Sequence, residues 1–364
     1  MKIFKGAIKT VGFLILFGLF FSSSAFAAAL TVSWEGAIIP GGSNNFFPNN
    51  TNPNNLVCKS SQTGGSILVD RTEEPSDIAF SDDGLTVFTT NLRRAMNGLE
   101  FSQNRLERPF DVLSDSVRAE PGGTCDDVDG LDVNALSGGA LNDKTEDIDF
   151  AKDGMIFFIM ADFGQLGKFN ATKPFDVDGL TYSGNRIVLG GPVDSVEFSR
   201  DGTKFFALNS TNNDPVLKTY NIPGDYDIAS ATEIQSINLE DYGVIDTADE
   251  NEQAVDLEFN SDGSALFVLI RNATNVSNSW IYQFSLSKKY DVSTAVKVGR
   301  FSLTNIFLAR TSNLSGYPKA FGFAGDGMKL YILDNLDGIP GTDHINQFSL
   351  ECPYGVVACV SETT

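Results

Sequence analysis

The chain has 364 residues, with 47 acidic and 26 basic side chains, so its formal net charge is −21 at pH 7. An acidic surface repels nucleic acid and anionic membranes, and both are therefore excluded as partners. Because His344 is the one histidine, a histidine-rich metal site is also excluded, and a Ser-His-Asp triad would depend on that residue alone.

The first 27 residues have the order of a bacterial secretory signal. Lysines come first, an apolar run follows from about Val11 to Phe21, and small residues end at Ala27. The apolar run is about half of the roughly 20 residues that a spanning helix needs, which favours a cleaved signal over a membrane anchor. We therefore predict cleavage after Ala27 and a secreted or periplasmic mature protein without a membrane span.

The segments outside the repeats are predicted to be irregular. Residues 28–63 are rich in Asn, Pro, Gly and Ser, which predicts an N-terminal extension over the surface, and residues 359–364 form a short tail. Four cysteines in an exported chain predict two disulfides. Cys352 and Cys359 can close a small local loop, which leaves Cys58 to pair with Cys125.

One pattern occurs five times between residues 64 and 358. Its copies are FSDDGLTVF, FAKDGMIFF, FSRDGTKFF, FNSDGSALF and FAGDGMKLY, and their turn glycines are Gly84, Gly154, Gly202, Gly263 and Gly327. An Asp-Gly pair between two apolar runs predicts a hairpin, because glycine adopts a positive φ and the aspartate suits the turn. Each glycine has a phenylalanine four residues before it and an aromatic residue four residues after it.

A second aromatic-bearing strand follows each hairpin, and a closing strand such as VKVGRFSL at 296–303 completes the unit. Each unit therefore has about four strands, and the glycines are separated by 70, 48, 61 and 64 residues. All-β units of this period predict the four-stranded blades of a β-propeller.

The repeat core F-S-x-D-G-x-x-[FLV]-[FY], followed by [YF]-D-[VI]-S-T-A, resembles the blades of secreted bacterial β-propellers of the YVTN and WD40-like type. The resemblance covers about residues 64–358 and implies the propeller fold. It implies no single activity, since similar blades serve lactonases, sugar-processing enzymes, adhesins and assembly scaffolds.

The number of blades depends on two segments. The last unit lacks a visible fourth strand, and GSILVD at 65–70 resembles a closing strand, so we predict five blades with the N-terminal strand completing the last. The alternative is six blades, with a hidden blade at 115–144, which we interpret as an inserted loop. Within that loop, Asp127, Asp129 and Asp132 either wrap a calcium ion or form a solvated acidic turn.

Ligands of propellers usually bind at the end of the central channel where the inner strands begin. Acids at or near that point in the repeats give candidate ligands for a divalent cation such as calcium: Asp77, Glu146, Asp147, Asp194 and Asp256. The alternative is that these acids cap strands and bond to amides between blades. Polar residues after the second strand of each unit form a candidate ligand-binding rim for a sugar or a cation: Asn91, Asp162, Asn209, Arg271 and Asp334.

Two classes of function compete. The variable loops and the acidic surface favour a binding module for a glycan, a protein or a surface ligand. The alternative is a divalent-metal-dependent hydrolase resembling lactonases and using the channel carboxylates, although no motif assigns catalytic residues. A third hypothesis makes the chain the exported portion of a larger surface protein.

Overall fold

The computed structural model describes residues 75–91, 101–106, 108–112, 132–142, 144–209, 215–244, 252–272, 278–303, 316–336 and 344–358. These residues form five antiparallel sheets, three with four strands and two with three. Each sheet follows the chain outwards from its first strand, as the repeats predict.

The strands of the five blades, in chain order, are as follows. Blade 1 contains β1 (Pro75–Phe80), β2 (Thr86–Asn91) and β3 (Phe101–Arg105); blade 2 contains β4 (Thr145–Phe150), β5 (Ile156–Ala161), β6 (Gln165–Asn170) and β7 (Thr181–Val188). Blade 3 contains β8 (Val193–Phe198), β9 (Lys204–Asn209), β10 (Val216–Asn221) and β11 (Thr232–Asn238). Blade 4 contains β12 (Glu252–Phe259), β13 (Ala265–Asn272), β14 (Trp280–Leu286) and β15 (Ala295–Ser302); blade 5 contains β16 (Gly316–Phe323), β17 (Lys329–Leu336) and β18 (His344–Ser349).

The first strands of the blades contact one another in a closed circle. β1 packs against β4, β4 against β8, β8 against β12, β12 against β16, and β16 returns to β1. The fold is therefore a five-bladed β-propeller, as predicted. The six-blade alternative is not observed, because the described part of its segment, residues 132–142, contains a short helix α1 (Val133–Leu136) capped by Asp132.

Each Asp-Gly hairpin has the same internal hydrogen bonds. In blade 4, the Gly263 N–H donates to the Asn260 carbonyl, and Asp262 Oδ1 accepts the Ser264 N–H at 2.9 Å. The aspartates of the other four turns accept the equivalent amide: Asp83, Asp153, Asp201 and Asp326. The aspartate thus stabilises the turn while the glycine supplies a φ of +66° to +74°.

The aromatic residues that follow the third strands pack on these glycines. A Cβ on Gly263 would lie 2.3 Å from the Tyr290 ring, and the same close approach joins Gly84 to Phe110, Gly154 to Phe175, Gly202 to Tyr226, and Gly327 to Tyr354. All five aromatic residues have a φ near +50°. The glycine is therefore required twice, for its backbone conformation and for the space that the ring fills.

Aromatic pairs also join the blades. Phe88 meets Phe150 at 4.8 Å between ring centroids, and Phe158 stacks on Phe198 at 3.7 Å. The remaining junctions pair Phe206 with Phe259, Phe267 with Phe323, and Tyr331 with Phe80. Five hydrophobic clusters lie at these junctions, so the core of the protein is the set of interfaces between blades.

Several predictions concern residues that the structure does not describe. The signal, the extension to residue 63, the closing strand at 65–70, most of the acidic loop and three of the cysteines lie outside the described residues. Cys352 lies inside the described residues and forms a disulfide bond, and its partner cysteine lies outside them. No helix within the described ranges is long and apolar enough to cross a membrane.

We expect Gly263→Ala to destabilise the protein more than Gly184→Ala does. Both glycines have a positive φ, but a Cβ on Gly184 meets nothing within 4 Å. Gly184→Ala should lower the free energy of unfolding by about 1 kcal/mol. Gly263→Ala should lower it by roughly 2–4 kcal/mol, because overpacking against Tyr290 adds to the backbone strain. Urea denaturation measures both values, and equal losses would contradict the packing role of the aromatic ring.

Candidate functional site

The inner strands line a central channel with two ends. We call the end at which these strands begin the entry face, and the end with the Asp-Gly hairpins the turn face. Asp77, Asp147, Ser195, Asp256 and Ala320 occupy equivalent positions near the entry face, seven residues before the glycines. Asp77, Asp147 and Asp256 are each less than 10% exposed.

These carboxylates bond to backbone amides of the next blade. Asp77 Oδ2 accepts the Ile148 N–H at 3.0 Å, and Asp147 Oδ2 accepts the Val196 N–H at 2.7 Å. In blade 4, Asp256 Oδ2 accepts the Phe321 N–H of blade 5 at 2.7 Å. The three acids therefore link blades 1 to 2, 2 to 3, and 4 to 5.

Ser195 makes the link between blades 3 and 4. Its hydroxyl donates to Asp256 Oδ1 at 2.9 Å, and Asp256 Oδ1 also accepts the Leu257 N–H at 2.8 Å. Ala320 has no polar side-chain atom, so the junction of blades 5 and 1 lacks this connection.

Asp77, Asp147 and Asp256 therefore form the bonds to amides between blades that the sequence offered as the alternative to metal binding. A metal role for them, for Glu146 and for Asp194 stays a prediction. In the described part of the chain, no group of three or more His, Cys, Asp or Glu is arranged to hold a metal ion.

We expect Asp256→Asn to lower the free energy of unfolding by roughly 1–3 kcal/mol. Three donors converge on the Asp256 carboxylate, and an asparagine would present an NH₂ group to at least one of them. Asp178→Asn makes the same chemical change at an exposed position and serves as the control. Chemical denaturation at pH 7 compares the two, and an Asp256→Asn variant as stable as the control would refute the junction role.

A second ring of side chains lies deeper in the channel, five residues before each glycine. Its members are Ala79, Asp149, Glu197, Glu258 and Gly322, and they line a cavity of about 150 Å³ that extends towards the turn face. Sequence reasoning missed the acids of this ring. The repeat alignment nevertheless contains them, because Asp149, Glu197 and Glu258 lie two residues after Asp147, Ser195 and Asp256.

The three acids of this ring differ in their hydrogen bonds. Asp149 accepts the Phe150 and Phe198 N–H groups, both at 2.6 Å, and so links blades 2 and 3. Among the described residues, the carboxylates of Glu197 and Glu258 accept no hydrogen bond. Within the part of the chain that the structure describes, these two carboxylates thus line the cavity without a hydrogen-bond donor.

Burial raises the pKa of Asp149 to about 7. Burial also raises the pKa of Glu197 well above its ordinary value, with a further contribution from repulsion by Asp149. The pKa of Glu258 is likewise raised by burial and then by repulsion from Asp256. Ionisation of these three carboxyl groups therefore costs more free energy in the folded protein than in water.

We expect Glu258→Gln to raise the free energy of unfolding at pH 8 by about 1 kcal/mol or more. A folded-state pKa above the unfolded value means that the folded protein binds more protons, so the stabilisation is present at acid pH and is lost as pH rises. The variant removes this loss, and the effect should shrink towards pH 4.5. Thermal and urea unfolding across pH 4.5–8 measure it.

Glu240→Gln, at an exposed position, is the control for the loss of one negative charge. A Glu258→Gln variant with the pH profile of the parent would contradict the charged channel.

The entry face contains a mixed group of charges. The pKa of Glu146 is raised to about 7, mainly by burial and then by repulsion from Asp194, while Lys319 opposes the shift. The Lys319 ammonium lies 5.2 Å from the Tyr317 ring centre, and Arg271 lies over the same ring at 5.0 Å. The structure thus brings Glu146 and Asp194 into one electrostatic group at the channel mouth.

The predicted rim residues occupy equivalent places on the entry face. Each of them lies at or next to the end of the second strand of its blade. Asn91 and Asn209 are the last residues of their strands, Asp162 follows β5, and Arg271 and Asp334 lie within the last three residues of β13 and β17. Asp162 lies 3.6 Å from the Lys144 ammonium, and Arg271 donates to Gln253 Oε1. The structure describes the backbone of Asn91 and Asp334 and not their side chains.

Phe163 lies on the same face, in the hairpin between β5 and β6. Its φ is +62°, and 67% of its surface is exposed. The other aromatic residues with a positive φ pack on turn glycines, whereas Phe163 points away from the core. Its N–H donates to Asp162 Oδ1 at 2.9 Å, which holds the ring next to the predicted rim.

No protein-family model matches the chain, and no curated protein matches its sequence. Solved structures that match it include the hydrazine synthase of Kuenenia stuttgartiensis, with 13% identity and a TM-score of 0.39. The match covers 75% of this chain and 59% of that chain, so this chain spans less than two thirds of it.

Two other matches have similar scores. A proposed 6-phosphogluconolactonase from Bacteroides uniformis has 16% identity and a TM-score of 0.41, with 79% of this chain and 73% of that chain covered. The β-propeller domain of Cps50 (Swd1) from Myceliophteria thermophila has 10% identity and a TM-score of 0.36, with 76% and 83% covered. These are distant similarities, and the propeller fold rests on the strand order of this chain.

Proposed function

We propose that this chain is an exported binding module that holds a glycan on its entry face. The observation that supports the proposal most directly is the exposed ring of Phe163. A protein or another surface ligand is the competing class of partner, and the chain could present the same face as part of a larger surface protein.

The left-handed backbone conformation of Phe163 lowers the stability of the folded protein. A left-handed backbone costs roughly 1–2 kcal/mol for a residue other than glycine. The ring is exposed, so its burial does not offset that strain. Strained residues of this kind occur preferentially at functional sites, where binding gives the selective reason for the strain.

The surroundings of Phe163 suit a sugar. An aromatic face can stack on the C–H face of a pyranose ring, while a few polar groups fix its orientation. Asp162 adjoins Phe163 in the chain, and Glu146 and Asp194 interact electrostatically nearby. These acids offer acceptors, and Lys144 offers a donor, to hydroxyl groups of a bound glycan.

The hydrolase alternative is less well supported by the geometry. It requires a divalent ion on channel acids, and the oxygens of Asp77, Asp147 and Asp256 accept backbone amides. Binding on the entry face needs none of these oxygens.

We expect Phe163→Asn to weaken glycan binding at least tenfold without destabilising the protein. Asparagine tolerates the left-handed region, so the variant should be as stable as the parent or more stable. A glycan array with the parent protein identifies the ligand, and calorimetry then measures both affinities.

Val296→Thr is the matched control, because Val296 is 64% exposed on the outer strand of blade 4. It should bind as the parent does. The proposal fails if the array yields no ligand, or if Phe163→Asn and the parent bind equally well.

A further inference from the structure

Two basic side chains on the entry face depart from the repeat. Among the five rim residues, Arg271 of blade 4 is basic, whereas the other four are aspartate or asparagine. Eight residues before its turn glycine, blade 5 has Lys319 where the other blades have serine, glutamate, aspartate or valine. Both departures therefore belong to neighbouring blades, in a chain whose formal net charge is −21.

The two cations meet at one aromatic ring. The Arg271 guanidinium lies 5.0 Å from the centre of the Tyr317 ring, and the Lys319 ammonium lies 5.2 Å from the same centre. The ring attracts each cation, but the two positive charges repel one another. A bound anion beside the ring would relieve that repulsion.

Arg271 is held in place without a carboxylate. Its Nε and one Nη donate to Gln253 Oε1 at 3.0 and 2.7 Å, and Gln253 lies directly opposite Arg271 in the pairing of β12 with β13. A guanidinium has five N–H donors, so three remain for another partner. In the part of the chain that the structure describes, no carboxylate accepts them. The side chain is partly exposed, so a ligand can reach it.

Lys319 has different surroundings. It is 9% exposed and lowers the pKa of Glu146, so an acid of blade 2 offsets part of its charge. Asp194 of blade 3 belongs to the same electrostatic group. Arg271 is therefore the cation that is open to direct binding of an anion, and Lys319 adds positive potential beside it.

We propose that the glycan of the entry face contains carboxylated sugars and that Arg271 binds one of their carboxylates. The proposal rests on the glycan site and names its class of sugar. The end of the Arg271 guanidinium keeps one N–H on each Nη, and this parallel pair matches the two oxygens of a carboxylate. A carboxylate carries a single charge, which Glu146 and Asp194 repel less than the double charge of a phosphate.

The alternative is that Arg271 only braces blades 4 and 5 by stacking on Tyr317. Bracing does not require a free pair of N–H donors or an uncompensated charge, whereas binding of a carboxylate requires both. The two roles are therefore distinguished by the affinity for charged and uncharged forms of one sugar.

Calorimetric titration of the mature protein at pH 7 tests the proposal. The probes are short oligosaccharides of galacturonic, glucuronic and mannuronic acid, each titrated beside its methyl ester, which has the same sugar and no charge. We expect an acid to bind and its ester to bind at least tenfold more weakly, because the ester offers Arg271 no anionic pair of oxygens. Any other carboxylated ligand from the glycan array is titrated against its ester in the same way.

The outcomes separate this proposal from the glycan site itself. Equal binding of acid and ester, or an array that yields neutral or sulfated ligands alone, would overturn the carboxylate and leave the glycan site in place. An array that yields no ligand overturns both.

Variants locate the carboxylate. Arg271→Gln should weaken binding of the acid at least tenfold and leave binding of the ester unchanged. Gln253→Glu keeps the shape of the side chain and gives Arg271 an internal carboxylate, so it should weaken binding of the acid likewise. Phe163→Asn should weaken binding of both acid and ester.

Arg300→Gln is the matched control. Arg300 stacks on Trp280 at 3.8 Å and donates to the Tyr282 hydroxyl, so it repeats the chemistry of Arg271 on the outer strand of blade 4. This variant should bind acid and ester as the parent does. Unfolding curves establish that each variant is folded before titration. If Arg271→Gln and Gln253→Glu bind the acid as the parent does, Arg271 does not bind the carboxylate and the proposal is wrong.

Discussion

The contact on which the rest of the structure depends is the aromatic pair between neighbouring blades. A single three- or four-stranded sheet leaves both of its faces apolar, and each face needs another sheet to cover it. The pairs from Phe88 with Phe150 round to Tyr331 with Phe80 satisfy this need at all five junctions. Because the last pair joins blade 5 to blade 1, the same contact that stacks two blades also closes the circle.

Closure has an electrostatic consequence inside the channel. Five strand edges converge on the axis, and each has amides that need acceptors where no further strand can pair with them. Asp77, Asp147 and Asp256 supply these acceptors across the junctions. The acids at the entry end are thus part of the scaffold, whereas Glu197 and Glu258 contribute no such bond. The acidic residues of one channel therefore fall into two groups, those that accept amides of the next blade and those that accept no hydrogen bond among the described residues.

The fold could be predicted from the sequence because the residues that recur in each repeat determine local backbone geometry. A glycine with an aspartate before it specifies a turn, and aromatic residues at fixed offsets specify which faces are covered. The alignment also placed Asp77, Asp147 and Asp256 at equivalent positions around the axis. It contained no information on which amides they face, since those amides belong to the next blade, about 50 to 70 residues away.

Phe163 and the inner acids were harder to predict for a different reason. Phe163 occurs in one hairpin alone, so no comparison between repeats distinguishes it from a core aromatic residue. Acids occupy this position at 149, 197 and 258, and Ala79 and Gly322 occupy it in the other two blades, so the position has no consensus. A consensus omits positions that differ between repeats, and Phe163 and the inner acids lie at such positions.

The junction of blades 5 and 1 differs from the others in lacking a bond at the axis, whereas its outer bonds have counterparts elsewhere, such as the Lys204 ammonium donating to the Tyr290 carbonyl and Gln283 accepting the Val357 N–H. Ala320 offers no link at the axis, while the Lys329 ammonium and the Tyr331 hydroxyl both donate to the Phe110 carbonyl, and Gln347 accepts the Val112 N–H. These bonds lie further out from the axis. Among the described residues, the series of axial side-chain links therefore runs from blade 1 to blade 5 and is not continued back to blade 1, so the first and last repeats meet at the axis through packing alone.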